Sequence, residues 1–318
     1  MKKVLGVSFG RHYGNSELIL REALLGARSA GAEIELIRMQ DYEIKPCRGC
    51  QVCTQRMMND GVENLCIQKD DFPVFRDHLL DCDAVIYSAP VYLIRPIASF
   101  LVMADRIGPF HDVGGLAMLG FKREDSPIDQ RLFKDRCAGF IAVGGAARPQ
   151  YMSMGLTLMN DATYPMHIKV VDQLAVGESN SSGEILMHEE KLKRAYQLGI
   201  NVANNACIPY EEMKWCGDFE GTCPVCHGNL MTLDPGANQV TCAICGIQGD
   251  LTMKDGKSHV QFHNLEGSRL HIKELEFHYK EIFASLLAFA DIEEEIKEKV
   301  NQYKEQDIPI VRPEKKAR

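Results

Sequence analysis

The sequence predicts an α/β protein: a parallel sheet covered by helices on both faces, then a small metal-knit module and terminal helices. Two patterns carry this. Short apolar runs alternate with stretches of helical periodicity over roughly the first 205 residues, as a parallel sheet with crossover helices requires. Two Cys-x2-Cys pairs then stand fifteen residues apart, at Cys223/Cys226 and Cys242/Cys245. A third observation bounds the answer. A chain of 318 residues, 45% hydrophobic and 25% charged, is long enough to bury a full core without disulfide staples.

The elements follow in order. Residues 3–8, KVLGVS, are an apolar run closed by polar residues and read as a buried strand. Residues 16–30 carry Leu18, Ile19, Ala23, Leu24 and Ala27 at helical spacing. Residues 33–39, EIELIRM, alternate polar and apolar and give a second strand. DAVIYS at 83–88, CAGFIAV at 137–143 and HIKVVDQLAV at 167–176 give three more. Helical patterns lie at about 71–81, 95–107, 151–161 and 186–206. Ligands of such folds bind at the carboxyl ends of the strands, near the point where strand order reverses. Composition changes after about residue 210. Domains are expected at 1–210, at 211–265 for the metal-knit module and at 266–318 for a helical segment ending in a loose charged tail.

Charge and cysteine content limit the partners. Asp and Glu number 44 against 36 Lys and Arg, a net charge of −8, which argues against nucleic acid or an anionic membrane surface. MKKVLGVSFG meets Gly6 and Gly10 too early for a signal peptide, and no stretch reaches the roughly 20 apolar residues of a membrane span. The expectation is a cytoplasmic protein. In a reducing compartment, grouped cysteines point to metal or redox chemistry. Of twelve cysteines, eight fall in two groups; Cys82, Cys137, Cys207 and Cys216 read as ordinary thiols.

After the first strand comes SFGRHYGNSELI, residues 8–19. A loop with Arg11, Gly14, Asn15 and Ser16 leads straight into a helix, whose free N–H groups and dipole favour an anion. Ser8, Asn15 and Ser16 can donate hydrogen bonds and Arg11 supplies positive charge. The loop is neither GxGxxG nor a Walker loop, so a phosphomonoester suits it better than a dinucleotide or a nucleoside triphosphate. The alternative is that Asn15 or Ser16 merely caps the helix.

The series strand, S-x-x-R-x-x-G-N-S, helix resembles the flavodoxin-like NADPH-dependent FMN reductase family. EIKPCRGCQVC at 43–53 with QKDDF at 68–72 resembles that family's cysteine-bearing loop. SAPVY at 88–92 with ADRIG at 104–108, and VGGAARP at 143–149, resemble its flavin-ring loops. Together these stretches cover about residues 1–205. The resemblance implies a five-stranded flavodoxin-like sheet and FMN. The phosphate would lie on Ser8, Arg11, Gly14, Asn15 and Ser16, and the ring between Pro90, Val91, Tyr92, Leu93 and the pair Gly144, Gly145. One departure is Phe9, where the family commonly has a phosphate-binding serine. A homo-oligomer is also implied.

Cys47, Cys50 and Cys53 form C-x2-C-x2-C, a spacing that can wrap three corners of a four-iron four-sulfur cluster. Cys66, twelve residues on, is the candidate fourth ligand, with Gly49 and Gly61 easing the turn. The related iron–sulfur flavoproteins hold such a cluster in this loop. A cysteine loop without a cluster, or zinc on the same thiols, are the alternatives. Cys223, Cys226, Cys242 and Cys245 match a zinc ribbon, with mononuclear iron as the other candidate. The ribbon could cap the flavin pocket, make a dimer contact or dock a partner. His227 reads as a turn residue rather than a further ligand.

These readings combine into an FMN-dependent oxidoreductase. It passes electrons from NAD(P)H or a ferredoxin-like donor to a small acceptor, and the cofactor rather than a side-chain nucleophile carries the chemistry. Tyr92, His12 or Arg148 could orient the acceptor. A non-enzymatic electron carrier and a redox or metal sensor are the readings from other classes.

Overall fold

The computed structural model describes residues 1–60, 66–108, 111–218, 223–306, 308–309 and 311, without the side chains of 58–60. Gly61 and nearly all of the charged tail lie outside the described residues. The chain divides into two compact units, Met1–Glu276 and Phe277–Arg318.

In the first unit five strands, β1 (Lys3–Ser8), β2 (Glu33–Arg38), β3 (Ala84–Tyr92), β5 (Cys137–Val143) and β6 (Lys169–Val176), form a parallel sheet in the order β2-β1-β3-β5-β6. The expected flavodoxin-like sheet is therefore present. The order reverses between β1 and β3, which places the switch point at their carboxyl ends. β3 runs four residues beyond the expected strand, because Ala89 and Pro90 continue the ladder on β5. A two-residue strand, β4 (Arg95–Pro96), turns back on its end.

Helix α1 (Asn15–Ser29) buries Ile19, Leu20, Ala23, Leu24 and Ala27 on one face of the sheet. Helix α7 (Glu189–Asn205) lies beside it with Ala195, Leu198, Val202 and Ala203. The two helices cross almost backbone to backbone. A Cβ on Gly26 would stand 1.9 Å from the Tyr196 carbonyl oxygen, and one on Gly199 would stand 1.7 Å from that of Ala23. Across the sheet, α3 (Phe72–Asp81) and α4 (Ala98–Ile107) bury Phe75, Leu79, Phe100 and Met103. Each such side chain contributes about 1.5–3 kcal/mol on leaving water. Phe9 is fully buried in an aromatic cluster, 5.0 Å from Phe100 and 6.4 Å from Tyr87 between ring centroids. Its side chain serves the core; its backbone faces the switch point.

The end of α3 is closed by Arg136. This side chain is wholly buried and donates to the carbonyls of Cys82 (3.1 Å), Lys134 (3.0 Å), Leu80 and Arg131. A guanidinium suits the unpaired carbonyls and negative dipole of a helix C-terminus. The sequence pattern did not reveal two short helices, α2 (Val52–Asp60) inside the cysteine loop and α5 (Val113–Met118). The helix expected over 151–161 is a 3-10 turn followed by α6 (Gly155–Met159). Gly155 permits close packing there: a Cβ on it would lie 3.1 Å from Val91 Cγ2.

Strands β7 (Met231–Leu233), β8 (Gln239–Cys242), β9 (Gln248–Lys254) and β10 (Lys257–Phe262) form a separate antiparallel sheet carrying the second cysteine set. It docks beside β6, the edge of the main sheet. Cys216 N–H donates to the Val171 carbonyl (2.8 Å), Gln173 Nε2 donates to the His227 carbonyl (3.0 Å), and the Trp215 and His227 rings stack at 4.0 Å. Covering an edge strand in this way removes a template for aggregation. Helix α8 (Ile272–Ala290) runs into the second unit, which also holds α9 (Glu293–Lys304). That unit exposes Leu286, Leu287 and Phe289, while Lys297 pairs with Glu293 (3.1 Å) and Glu294 (2.7 Å).

Candidate functional site: a cleft at the switch point and two cysteine sets

A solvent-open cleft lies at the carboxyl ends of β1, β3 and β5. Gly10, Arg11, Gly14, Asn15 and Ser16 line it from the first loop, Pro90, Val91 and Tyr92 from β3, and Gly144 and Gly145 from the loop after β5. Nine of the eleven expected residues thus converge, with Gly10 beside them. Two do not line it. Ser8 is buried beneath, its hydroxyl without a hydrogen-bond partner among the described residues, and Leu93 is 85% exposed on the adjoining turn. Sequence reasoning missed Gln40, Ser179 and Asn180, which complete the wall. Ser179 and Asn180 stand in the polar run GESNSS just past β6, so the rule that ligands meet strand carboxyl ends would have found them.

The first turn of α1 is left open. Its N-cap is Gly14, which offers no side-chain oxygen, and no side chain caps the turn. Asn15 does not act as a cap. Its amide donates to the carbonyls of Ser179 (2.9 Å) and Ser181 (2.8 Å), and its Oδ1 accepts from Ile185 N–H (3.3 Å). This tie joins the loops after β1 and β6. The uncapped N–H groups, the helix dipole and Arg11 together suit an anion such as a phosphate.

Glu17, one residue further on, organises the loop. Its side chain is fully buried, yet it accepts from Arg21 (2.8 Å), Arg38 (3.0 and 2.9 Å) and Tyr13 N–H (3.1 Å). Burial opposes its ionisation, but the hydrogen bonds from Arg38, Arg21 and Tyr13 outweigh that and hold the carboxyl down at about 2. The Arg38 guanidinium also lies 4.8 Å from the Tyr13 ring centroid. Tyr13 takes a left-handed φ of 54°, which the preceding contacts hold in place. His12 pairs with Asp41 at 2.8 Å.

On the opposite rim, Tyr92 pairs with Arg95 across a two-residue turn. Both central residues, Leu93 (φ 51°) and Ile94 (φ 67°), are left-handed. This is the form that normally takes Asn-Gly, and a β-branched residue there is strained. The strain holds an apolar tip at the cleft's edge. It is pinned by Met154 N–H donating to the Ile94 carbonyl (3.0 Å). The glycine pair allows close backbone approach: a Cβ on Gly144 would lie 2.9 Å from Met152 Sδ, and one on Gly145 would lie 3.1 Å from Asn180.

The first cysteine set lies on a loop closed at its neck. Lys45 N–H donates to Asp70 (2.9 Å), Gln68 Nε2 to the Pro46 carbonyl (2.9 Å), and Glu43 N–H to Asp71 (2.7 Å). The buried Arg106 guanidinium pairs with Asp70, donates to the Lys45 carbonyl (2.9 Å) and lies within electrostatic reach of Cys66 and Cys47. Cys47, Cys50 and Cys66 are exposed and Cys53 is half-buried. Gly49 is left-handed, with φ 62°, and its N–H contacts Cys47 Sγ at 3.4 Å. Among the described residues these four sulfurs do not form a group of metal-ligating distance.

The second set does. The sulfurs of Cys223, Cys226, Cys242 and Cys245 are buried and lie within 4.8 Å of one another. Each knuckle closes with the same backbone bonds: His227 N–H to the Cys223 carbonyl (2.9 Å), and Gly246 N–H to that of Cys242 (3.0 Å). The residue after each second cysteine is left-handed, His227 at φ 58° and Gly246 at φ 80°. His227 is thus a turn residue, braced by Trp215. Four thiolates this close would repel one another. A cation resolves that repulsion, so the donor set fits a tetrahedral metal. Among the described residues no helix is long and apolar enough to cross a membrane.

Comparison with known proteins agrees with this geometry. Residues 3–181 match the NADPH-dependent FMN reductase family. The flavone synthase cfoJ of Aspergillus candidus is 30% identical over 266 residues, 82% of this chain and 81% of the relative. An iron–sulfur flavoprotein of Archaeoglobus fulgidus is 28% identical over 204 residues, 64% of this chain and 79% of the relative. A solved flavone reductase, 27% identical, superposes with a TM-score of 0.81 over 98% of this chain and all of its own. The switch-point cleft lies within the matched region, and the chain belongs to the NADPH-dependent FMN reductase family of flavodoxin-like oxidoreductases.

Proposed function

We propose that this chain uses NAD(P)H to reduce a small planar acceptor on bound FMN. The observation that carries the reading is the uncapped first turn of α1, opening into a glycine-lined cleft at the switch point inside the family-matched region. Arg11 and the amides following Gly14 would hold the FMN phosphate, with Ser16 beside them; Asn15 holds the wall in place. Pro90, Val91 and Tyr92 would meet one side of the ring and Gly144 and Gly145 the other, with Leu93 at the rim. FMN, when bound, supplies the two-electron chemistry. The protein's own part is to bind, orient and shield. The flavone-type names of two relatives favour an acceptor of that class.

The reading keeps a four-iron four-sulfur cluster on Cys47, Cys50, Cys53 and Cys66. It is supported by the spacing, the closed loop neck and the name of the archaeal relative. It also keeps structural zinc on the second set, a ferredoxin-like alternative donor, the domain division at 210 and 265, and a homo-oligomer. Anaerobic purification with metal, sulfide and flavin analysis tests these together. NADPH should bleach the flavin absorbance and support turnover of flavone. Bleaching by dithionite alone would favour an electron carrier. A colourless protein after reconstitution with FMN would defeat the reading.

A further inference from the structure

The second half of α8 has an uncommon composition for a helix that faces water. Residues 282–290, IFASLLAFA, hold no charged side chain. A helix that is apolar around its whole circumference normally lies inside protein. This one does not. Ile282 is 37% exposed, Leu286 42%, Leu287 70% and Phe289 46%. Ile292, just after α8, and Val300 and Tyr303 of α9 are exposed as well.

Part of this surface is ordered as a seam. Leu275, Tyr279, Ile282, Leu286 and Phe289 recur at alternating spacings of four and three residues, the repeat by which one helix packs along another. The flanking positions Phe283, Ser285, Ala290 and Ile292 carry no charge either. The seam is closed at its start, where Leu275 and Tyr279 are buried. Leu275 lies so close to α5 that a Cβ on Gly114 would stand 2.4 Å from its own Cβ. Over the next two turns the seam is open.

What covers it must be apolar, helical in period and large. The exposed large apolar side chains from Phe277 to Tyr303 present on the order of 800 Å², about what each partner of a stable dimer contributes. A second copy of α8 meets all three demands, and charge decides its direction. In a parallel pair the acidic run 291–295, DIEEE, would face its own copy, and its four carboxylates share only Lys297 and Lys299. In an antiparallel pair centred near Leu286 that run lies opposite the turn around 277–281, FHYKE, where Lys280 balances Glu281. An anionic membrane is a poor cover, because the same run and the net charge of −8 oppose it.

We propose that α8 pairs with α8 of a second copy, antiparallel about a two-fold axis near Leu286, closing the seam of Ile282, Leu286 and Phe289. This deepens the homo-oligomer reading by naming its surface, and it is independent of the reductase reading.

Light scattering during gel filtration of the FMN-loaded full-length protein should report a dimer. Ile282→Glu combined with Leu286→Glu should weaken dimerisation by about tenfold or more, since carboxylates would be buried in the seam. FMN content and circular dichroism should not change, because both positions are exposed in the single chain. Ala284→Glu, on the opposite side of α8, should leave the dimer intact. A photoreactive p-benzoylphenylalanine at position 286 should join two chains, with both linked peptides mapping to α8 in an isotope-mixed sample. A dimer that survives the double variant, or crosslinks from position 286 only to other elements, overturns the pairing while the homo-oligomer reading stands. A monomeric parent overturns both, and flotation of that monomer with phosphatidylcholine vesicles would name a membrane as the cover instead.

Discussion

Glu17 shows what a single buried carboxylate does for the first loop. With the carboxyl held at about 2 against an ordinary 4.5, its stabilising effect is full above about pH 4.5 and fades as pH falls towards 2. Glu17→Gln should cost about 1–3 kcal/mol at neutral pH. The gap in Tm between parent and variant should close as pH drops through that window; a gap constant from pH 7 to pH 3 would contradict the assignment. Leu93 and Ile94 make the opposite case, local strain kept at a functional edge. Replacing them by Asn-Gly should raise stability by about 1–2 kcal/mol, because both positions are left-handed. FMN or flavone affinity should fall as the apolar tip is lost. Unchanged affinity would mean that the tip serves no ligand. Glu17 and Ile94 were not singled out from the sequence, and Leu93 was named only as a ring contact. Glu17 looks like an ordinary first-turn acid, and only folding brings Arg38 of β2 against it. Leu-Ile carries no turn signature at all.

At the scale of elements, the α1–α7 crossing depends on two glycines. Gly199→Ala would drive a methyl into the Ala23 carbonyl and should cost about 1–3 kcal/mol or more, read from urea denaturation. A neutral outcome would show that the helices can slide apart. Sequence periodicity located both helices to within a few residues, since their apolar faces recur at 3.6-residue spacing. It could not show that they touch, because their contact is set by the sheet between them. The strands were legible for the same reason of pattern. The extension of β3 was not: Pro90 reads as a breaker, yet the strand's end lies beside Val143 and needs no further donor there. Helix α2 was hidden because its nine residues, VCTQRMMND, hold too few apolar positions to show a period.

At the scale of the whole molecule, the cysteine module and the sheet belong to one compact unit. Metal loss should therefore be felt beyond the module. Cys223→Ser with Cys245→Ser, or a strong chelator, should abolish metal binding, lower the Tm of the main sheet and promote aggregation as the β6 edge is uncovered. Far-ultraviolet circular dichroism and light scattering would record both; an unchanged sheet Tm would show the module to be thermally independent.

Local pattern alone determined the strand–helix alternation, the anion-suited turn after β1 and the four-thiol knuckles, because each is encoded within a few residues of its own position. The first loop and residues 223–245 stood out that way, whereas residues 90–92 and 144–145 came from the family resemblance. Only the tertiary structure decided that Asn15 ties two loops rather than capping a helix, that Phe9 belongs to the core, and that the module docks on β6. Those outcomes depend on groups fifty or more residues apart in the chain, and no spacing within a window can report a contact that exists only once the sheet has assembled.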